Sequence, residues 1–515
     1  MSFQNLFPLK DKFDILIVGA GIAGLSQAIA LAEKDPTLSI GVVSKSALEE
    51  TNTRLAQGGI AAVMSTQTDS YLAHIQDTLN ASQQKANKEV VTYVVENAHK
   101  GIHQLENWGV QFDQVKNQYH LGLEGGHSQA RILHVKDQTG AAVHDRLIQQ
   151  VKEHSSIVLI EFSEVVELLL NKLNSIGGAL IYNHLDKLTT KVHAKVVVLA
   201  TGGIGQLFQY TTNSSIATGD GIALANNIGA EINNLQAIQF HPTAFRESGK
   251  NQLFLISEAV RGAGAHIINK KGERFVFRYD ERGELATRDV ISSAIYQELK
   301  ESVEDEVYLD CRHLPKALLE DEFPFIYAHC LKAGFDLSQQ PVPIIPAAHY
   351  SCGGIQVNLN GETSISLLYA IGECANTGLH GNNRLASNSL LEAIVFTQNV
   401  ANNILENIKK VAFTDLITSN LIKFYKSSNL YCFEHETIQL KTLLTGYFIS
   451  KDRNAKKELS ELLGYYQKQL KDISPLELSA LNFRWRLILV NLLLKEEALD
   501  VNVGPVNQYK LQRQS

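Results

Sequence analysis

The run Phe13-Asp14-Ile15-Leu16-Ile17-Val18 passes straight into Gly19-Ala20-Gly21-Ile22-Ala23-Gly24, and few folds are compatible with such a start. The apolar run reads as a buried strand, and Ile22, Leu25, Ile29 and Leu31 then recur near helical spacing. A second apolar run, Ile40 to Val43, closes a βαβ unit of about thirty residues, whose right-handed crossover commits the chain to a parallel sheet. In that setting the glycines have separate duties. Gly19 allows the tight turn, Gly21 lets a pyrophosphate approach the backbone, and Gly24 lets helix and strand pack closely, with the phosphates on the helix N-terminus. A dinucleotide site over Gly19, Ala20, Gly21, Ile22, Ala23 and Gly24 is therefore expected; without the flanking strands the same motif would be an ordinary glycine-rich turn.

The acidic residue that commonly follows the second strand and takes the ribose is missing, and Ser44-Lys45 stands there instead. Lys45 faces either an adenosine-side phosphate or solvent, and Glu49 or Glu50 is an alternative ribose partner; the sequence leaves these open. Further along, Lys195 to Ala200 is a β-branched run ending in Thr201-Gly202-Gly203, after a hairpin-like stretch from Tyr182 to Val192. Leu368-Tyr369-Ala370-Ile371-Gly372-Glu373 sets a carboxylate just past a glycine, a placement suited to a ribityl or ribose hydroxyl. Separated segments thus converge on one cofactor.

A chain of 515 residues suggests roughly three units of about 150 residues. The pattern changes at residue 236 and returns at 347, which marks an inserted α+β capping domain over 236–346, with amphipathic helical stretches at Arg288 to Leu299 and Ala317 to Lys332. Residues 1–235 and 347–400 form the discontinuous dinucleotide domain. Residues 401–515 read as a C-terminal helical domain, for example over Lys456 to Leu470 and Leu476 to Leu499.

The formal net charge of -7 excludes a global basic field that would gather nucleic acid or an anionic membrane surface. Cys311, Cys330, Cys352, Cys374 and Cys432 are odd in number and contain no C-x-x-C pair, so they are expected to be reduced thiols in a cytoplasmic protein. His127, His134, His144 and His380 show no ligand spacing, and no metal is expected. Met1 to Lys12 lacks an apolar signal region, and the apolar run Leu487 to Leu494 is far short of the ~20 residues a membrane span needs, so no membrane association is expected.

At Asn52-Thr53-Arg54-Leu55-Ala56-Gln57-Gly58-Gly59 the chain resembles the flavoprotein subunits of succinate dehydrogenase and fumarate reductase. Phe240-His241-Pro242-Thr243, Ser257-Glu258-Ala259-Val260-Arg261-Gly262, Thr287-Arg288-Asp289 and His380-Gly381-Asn382-Asn383-Arg384-Leu385-Ala386-Ser387-Asn388-Ser389-Leu390 extend the resemblance across most of residues 13 to 400. Glu124-Gly125-Gly126-His127-Ser128 and Ala347-Ala348-His349-Tyr350-Ser351-Cys352-Gly353-Gly354 make it most similar to the L-aspartate oxidase branch of that superfamily. The resemblance implies an α/β fold: a Rossmann-like FAD-binding domain, an inserted α+β cap and a C-terminal helical domain. It implies that L-aspartate is oxidised to iminoaspartate, the first step toward quinolinate and NAD, with O2 or fumarate as acceptor and a quinolinate synthase as a candidate partner.

Residue by residue, the resemblance assigns FAD to Gly19–Gly24, Lys45, Asn52, Thr53, Arg54, Leu55, Ala56, Gln57, Gly58, Gly59, Asp220, Glu373, Ser389 and Leu390. The position of the histidine that carries a covalent flavin in some relatives is Asn52, whose amide cannot form that bond, so non-covalent FAD is implied. Arg288 is assigned proton transfer, with Glu258 and Arg261 as a relay, because a free guanidinium stays charged; the same pair also reads as a structural salt bridge near a helix start. His241, Ser257, His349 and Arg384 are assigned to the substrate carboxylates. Glu124 is assigned to the substrate ammonium, although Glu-Gly-Gly is also common loop chemistry. Pro242 and the residues around His349 place both histidines on connections rather than in regular elements.

Two departures from the family pattern are present. Ser257 stands where threonine is common, and Leu499 to Ser515 has no match to the usual C-terminal stretch. The competing readings are a soluble fumarate reductase or succinate-type oxidoreductase sharing the site, and a flavoprotein-like chain that has lost turnover and serves as a binding partner.

Overall fold

The computed structural model describes residues 10–301, 306–417, 433–450, 452–470 and 478–495. Its central sheet follows from the apolar runs. Lys12–Val18 lies parallel to Ile40–Val43 on one side and to the second half of Thr189–Leu199 on the other. Leu368–Ala370 adds a parallel strand beyond Thr189–Leu199, and Ile157–Ile160 extends the sheet past Ile40–Val43. Ile15, Ile17, Ile40, Val42, Val196 and Val198 are fully buried, because strands covered on both faces are apolar throughout rather than alternating. The first half of Thr189–Leu199 turns back antiparallel onto Ile176–Asn183, in keeping with the hairpin expected over Tyr182 to Val192.

Helices Ile22–Lys34 and Asn388–Ile408 pack together over this sheet, burying Leu25, Ile29, Leu391 and Ile394. Each such side chain contributes about 1.5–3 kcal/mol relative to exposure. This core outweighs any single surface ion pair in holding the glycine turn in place.

A second sheet is built from the inserted segment. Ile238–Phe245 and Val342–Ser351 pair antiparallel, flanked by Phe254–Leu255 on one edge and by Val307–Asp310 and His266–Asn269 on the other. Phe245, Ile267, Phe275, Ile291, Ile326 and Ile344 form its own apolar core, and helix Arg288–Glu301 lies against the sheet. The single helix expected over Ala317 to Lys332 is instead two, Lys316–Glu322 and Pro324–Lys332. Pro324 lacks an N–H and excludes a helical conformation at Phe323, which sits at φ −127°. The buried Asp137 carboxylate accepts from Ile326 N at 2.7 Å at the start of the second helix.

Helix Asn388–Ile408 runs through residue 400, where the sequence suggested a domain boundary. The chain divides into two compact units, 1–206 with 210–418, and 207–209 with 419–515. The described part of the second unit contains helices Glu434–Ser450, Arg453–Gln469 and Leu478–Lys495. The last two carry the helical stretches expected there; residues 476–477 and 496–515, and Cys432, lie outside the described residues. Among the described residues no helix is long and apolar enough to cross a membrane.

Candidate active site

The glycine turn is dictated by close backbone approach. Gly19 has φ +117°, and a Cβ there would lie 2.1 Å from the Ala200 carbonyl oxygen, so only glycine lets the strand turn beneath its neighbour. A Cβ at Gly24 would meet the Gly19 carbonyl at 2.0 Å; Gly24 therefore packs helix on turn and does not line the cleft. The helix Ile22–Lys34 starts without a side-chain cap from Gly21, and its Ile22 N–H donates to the Thr53 hydroxyl at 3.0 Å. That exposed N-terminus, with its partial positive charge, opens on a cleft of about 1600 Å3 of non-protein space, solvent at its mouth included.

Gly19, Ala20, Gly21, Ile22, Ala23, Lys45, Asn52, Thr53, Leu55, Ala56, Gln57, Gly58, Gly59, Asp220, Glu373, Ser389 and Leu390 all line this cleft. Arg54 does not: its guanidinium points to Asp145 at the exposed surface. Four-residue helix Asn52–Leu55 turns that side chain outward while Thr53 faces in. Neither candidate ribose partner lines the cleft either. Glu49 is exposed, and Glu50 accepts from the Ser46 and Ser215 hydroxyls at 2.6 and 2.5 Å. Lys45 is not left to solvent: Nζ contacts Asp220 at 2.5 Å, Glu164 at 3.2 Å and Thr218 at 2.9 Å. Burial opposes its charge, but Asp220 and Glu164 outweigh that and raise its pKa.

Asn52 Oδ1 accepts from Ser214 N at 2.8 Å. Glu373 accepts from Ser351 N at 3.0 Å, and burial pushes its carboxyl up to about 7. A glycine cradle at a helix N-terminus, with the Asp220, Glu164 and Glu373 carboxylates on the surrounding walls, suits the pyrophosphate and hydroxyls of a flavin dinucleotide. The residues present fit FAD.

The other end of the same cleft is walled by side chains. Glu258 begins the short helix Glu258–Gly262, capped by the Ser257 hydroxyl, and Arg288 begins helix Arg288–Glu301. Arg288 Nε meets Glu258 Oε2 at 2.6 Å, and Arg261 Nη2 lies 3.3 Å from Glu258 Oε1. Gly125 leaves room beside this pair, since a Cβ there would come within 2.3 Å of Glu258 Oε1 and displace the carboxylate. Burial raises the Glu258 carboxyl, but Arg261 and then Arg288 overcome it and hold it below the ordinary value. Arg261 itself is fully buried, which lowers its pKa, and it lies just behind the cleft lining.

His241 and His349 were expected on connections, yet they sit on the strands Ile238–Phe245 and Val342–Ser351. Pro242 is accommodated because the strand pairing shifts register between His241 and Ala244, where no ladder N–H is needed. The two rings approach to 5.0 Å between centroids. His349 Nδ1 contacts the Thr212 hydroxyl at 2.7 Å, while His241 Nε2 is buried without a hydrogen-bond partner. Burial, and then Arg288, hold both imidazoles well below 6.5, so they act as neutral groups.

Arg384 stacks its guanidinium 4.0 Å from the Tyr350 ring centroid and donates to the Ser389 hydroxyl. Burial, then Arg288, lower it to about 10. Glu124 is buried in this cleft, and its Oε2 accepts from the Ser387 hydroxyl at 2.6 Å. Burial and then the Glu258 carboxylate raise its pKa.

Three polar groups escaped the sequence reading. Gln239 Oε1 accepts from Arg288 at 3.0 Å and from Arg384 at 3.3 Å, tying the two arginines together; no local signal marks it. Ser387 lay inside a motif already singled out, and Glu164 opens strand Ser163–Leu170 without any distinguishing pattern. His144 bonds the carbonyl of Ala20 and His380 bonds Glu392, and neither histidine lines the cleft. Among the described residues no group of three or more His, Cys, Asp or Glu is placed to hold a metal, and Cys311, Cys330, Cys352 and Cys374 are free and buried.

Comparison with known proteins bears on this geometry. Residues 14–390 match the family model described as FAD binding domain. The L-aspartate oxidase of Yersinia pestis is 44% identical over 408 residues, 77% of this chain and 75% of that protein. The L-aspartate oxidase of Clostridium perfringens is 43% identical over 78% of this chain and 90% of its own length. A solved structure of a variant of E. coli quinol fumarate reductase superposes with a TM-score of 0.84 at 28% identity, covering 94% of this chain and 88% of that one.

Proposed function

The chain belongs to the L-aspartate oxidase family of FAD-binding flavoproteins, and from that premise we propose how its cleft works. It oxidises L-aspartate to iminoaspartate, with O2 or fumarate as electron acceptor, in the first step of NAD biosynthesis via quinolinate. FAD, held non-covalently along Gly19–Ala23, Lys45, Asn52, Gln57 to Gly59, Asp220, Glu373, Ser389 and Leu390, supplies two-electron acceptance. Every other task falls to side chains of the chain itself.

The observation that carries this reading is Glu124, a buried carboxylate sharing one cleft with Arg288, Arg384, His241 and His349. Two carboxylates and one ammonium distinguish L-aspartate from a plain dicarboxylate. Arg384, His349, His241 and Ser257 bind the carboxylates as charge-assisted or neutral donors, and Glu124 binds the ammonium. Arg288 holds the transferred proton. Its contact with Glu258, and Glu258's contact with Arg261, give that proton a buried route that does not depend on discharging a lone guanidinium. Gln239 fixes Arg288 relative to Arg384. The segment 236–346 acts as the cap over the FAD-binding segments; excluding water there strengthens each charge contact and limits hydrolysis of the imine.

The likeness to fumarate reductase favours a second reading, a dicarboxylate oxidoreductase using the same arginines, in which Glu124 has no ammonium to meet. We further propose that the protein works in the cytoplasm, in line with its free thiols, and that a quinolinate synthase receives the iminoaspartate. Anaerobic mixing of the flavin-loaded protein with L-aspartate tests the main reading. The flavin absorbance bleaches and peroxide forms on readmitting air; bleaching by succinate alone would replace it with the second reading.

A further inference from the structure

Replacing L-aspartate by fumarate or succinate in this cleft removes one positive charge, the ammonium, while both substrate carboxylates remain. The protein groups around that position are fixed. Glu124 faces Glu258, Arg288 and Arg384, with Ser387 on its Oε2, Gly58 packed against its Oε1 and Arg261 behind Glu258. Arg288 is engaged by Glu258 and Gln239, and Arg384 lies over Tyr350. His241 and His349 are neutral, Glu373 is bonded to Ser351, and Lys45 is shared between Asp220 and Glu164 at the dinucleotide end. Among the described residues His127 also lies near Glu258, but burial lowers its imidazole to about 4, so it supplies no cation to replace the ammonium. An ionised Glu124 would then be a buried anion beside another buried carboxylate and a dianionic ligand, which is strongly disfavoured.

The local geometry suits a proton there. The Ser387 hydroxyl touches Glu124 Oε2 at 2.6 Å and accepts from Gly59 N at 3.3 Å. A hydroxyl donates to a carboxylate and accepts from a carboxylic acid by rotation alone, so the contact survives either state. Ser387 adopts a left-handed conformation, φ +62°. Its neighbour Asn388 is pinned by His74 at 3.0 Å and Thr78 at 3.0 Å, which fixes the backbone in a region a non-glycine residue seldom adopts.

We propose that Glu124 is a ligand-coupled proton site: ionised against L-aspartate, it takes up one proton when a C4 dicarboxylate without an ammonium binds, and Ser387 holds its carboxyl group in both states. The inference rests on the L-aspartate oxidase reading of the cleft. It makes the choice between L-aspartate and fumarate depend on pH, with fumarate losing ground as pH rises. Burial and the Glu258 carboxylate already favour the protonated form, while Arg288, Ser387 and Arg384 oppose it.

The test uses the oxidised, flavin-loaded enzyme and fumarate, an electron acceptor that leaves the oxidised flavin unchanged. Binding is read from the perturbation of flavin absorbance and proton uptake from an indicator in weak buffer. The wild-type protein is expected to take up about one proton per fumarate on the alkaline side of the transition, so that fumarate affinity falls roughly tenfold per pH unit there. Glu124→Gln is expected to bind fumarate with no uptake and no such pH dependence. Ser387→Ala is expected to keep the uptake but move the transition to higher pH, because the ionised carboxylate loses a donor. Unchanged uptake in Glu124→Gln, fumarate binding without uptake in the wild type, or no fumarate binding would overturn the inference. Bleaching by L-aspartate is scored separately: its loss alongside intact, Glu124-dependent uptake sinks the oxidase reading and leaves the proton site standing.

Discussion

At its dinucleotide end the cleft is walled largely by backbone and small residues, about half of them drawn from one stretch between residues 18 and 59. At its dicarboxylate end it is walled by the side chains of Glu124, His241, Ser257, Glu258, Arg288, His349, Arg384 and Ser387, brought from distant parts of the chain. The first end depends on a few permitted backbone conformations and on atoms being absent. The second depends on buried charges that neutralise one another, so deleting any one of them leaves another uncompensated. Damage should therefore differ in kind: loss of cofactor at one end, loss of chemistry with cofactor retained at the other.

The strongest test of that contrast is Gly19→Ala. Its Cβ would collide with the Ala200 carbonyl at a backbone angle alanine avoids, so the purified protein is expected to lack flavin and all activity; a yellow, active variant would break the comparison. Arg288→Leu addresses the opposite end. Turnover with L-aspartate is expected to fall by about 10²–10⁴-fold with flavin content unchanged, and normal turnover would remove Arg288 from proton transfer.

A smaller effect is expected from Glu373, which lines the dinucleotide end yet behaves electrostatically like the other end. Burial raises its carboxyl from 4.5 to about 7, so the folded protein keeps a proton that the unfolded chain gives up, and stability falls as pH rises from about 4.5 to about 7 and levels off above that. In flavin-stripped protein the unfolding temperature should decline over that window by the equivalent of roughly 1–3 kcal/mol. Glu373→Gln should flatten the decline, and an unaltered profile would assign it to other groups. The smallest effect belongs to Arg54→Ala. An exposed pair with Asp145 is worth about 0–1 kcal/mol, so FAD affinity measured by titration should change less than about threefold. A larger loss would return Arg54 to the cradle.

Much of the dinucleotide end was legible in the sequence, because adjacent residues there act together: a strand, a turn and a helix N-terminus are local events. Side-chain direction was less legible. Arg54 sits within the right segment but on the outward face of a short helix, whereas Lys45 lines the cleft as expected, and its tie to Asp220 and Glu164, which joins three strand and helix ends, had no signal in the sequence. At the dicarboxylate end the resemblance supplied residue types, whereas Gln239 and Ser387 became visible only through the arginines and the carboxylate they touch. His241 and His349 were read as lying on connections because Pro242 biases His241 away from helix and prolines and glycines bound the stretch around His349; a register shift in the pairing lets the strand carrying His241 keep Pro242.

The sequence by itself determined the glycine turn and the parallel order of its flanking strands, since local backbone preference and apolar patterning act over short distances. Only the tertiary structure decided which charges meet. Glu124 and Glu258 are far apart in sequence, and what sets their protonation is burial together with the particular arginines and hydroxyl brought against them, quantities that exist only once the chain has closed around the cleft.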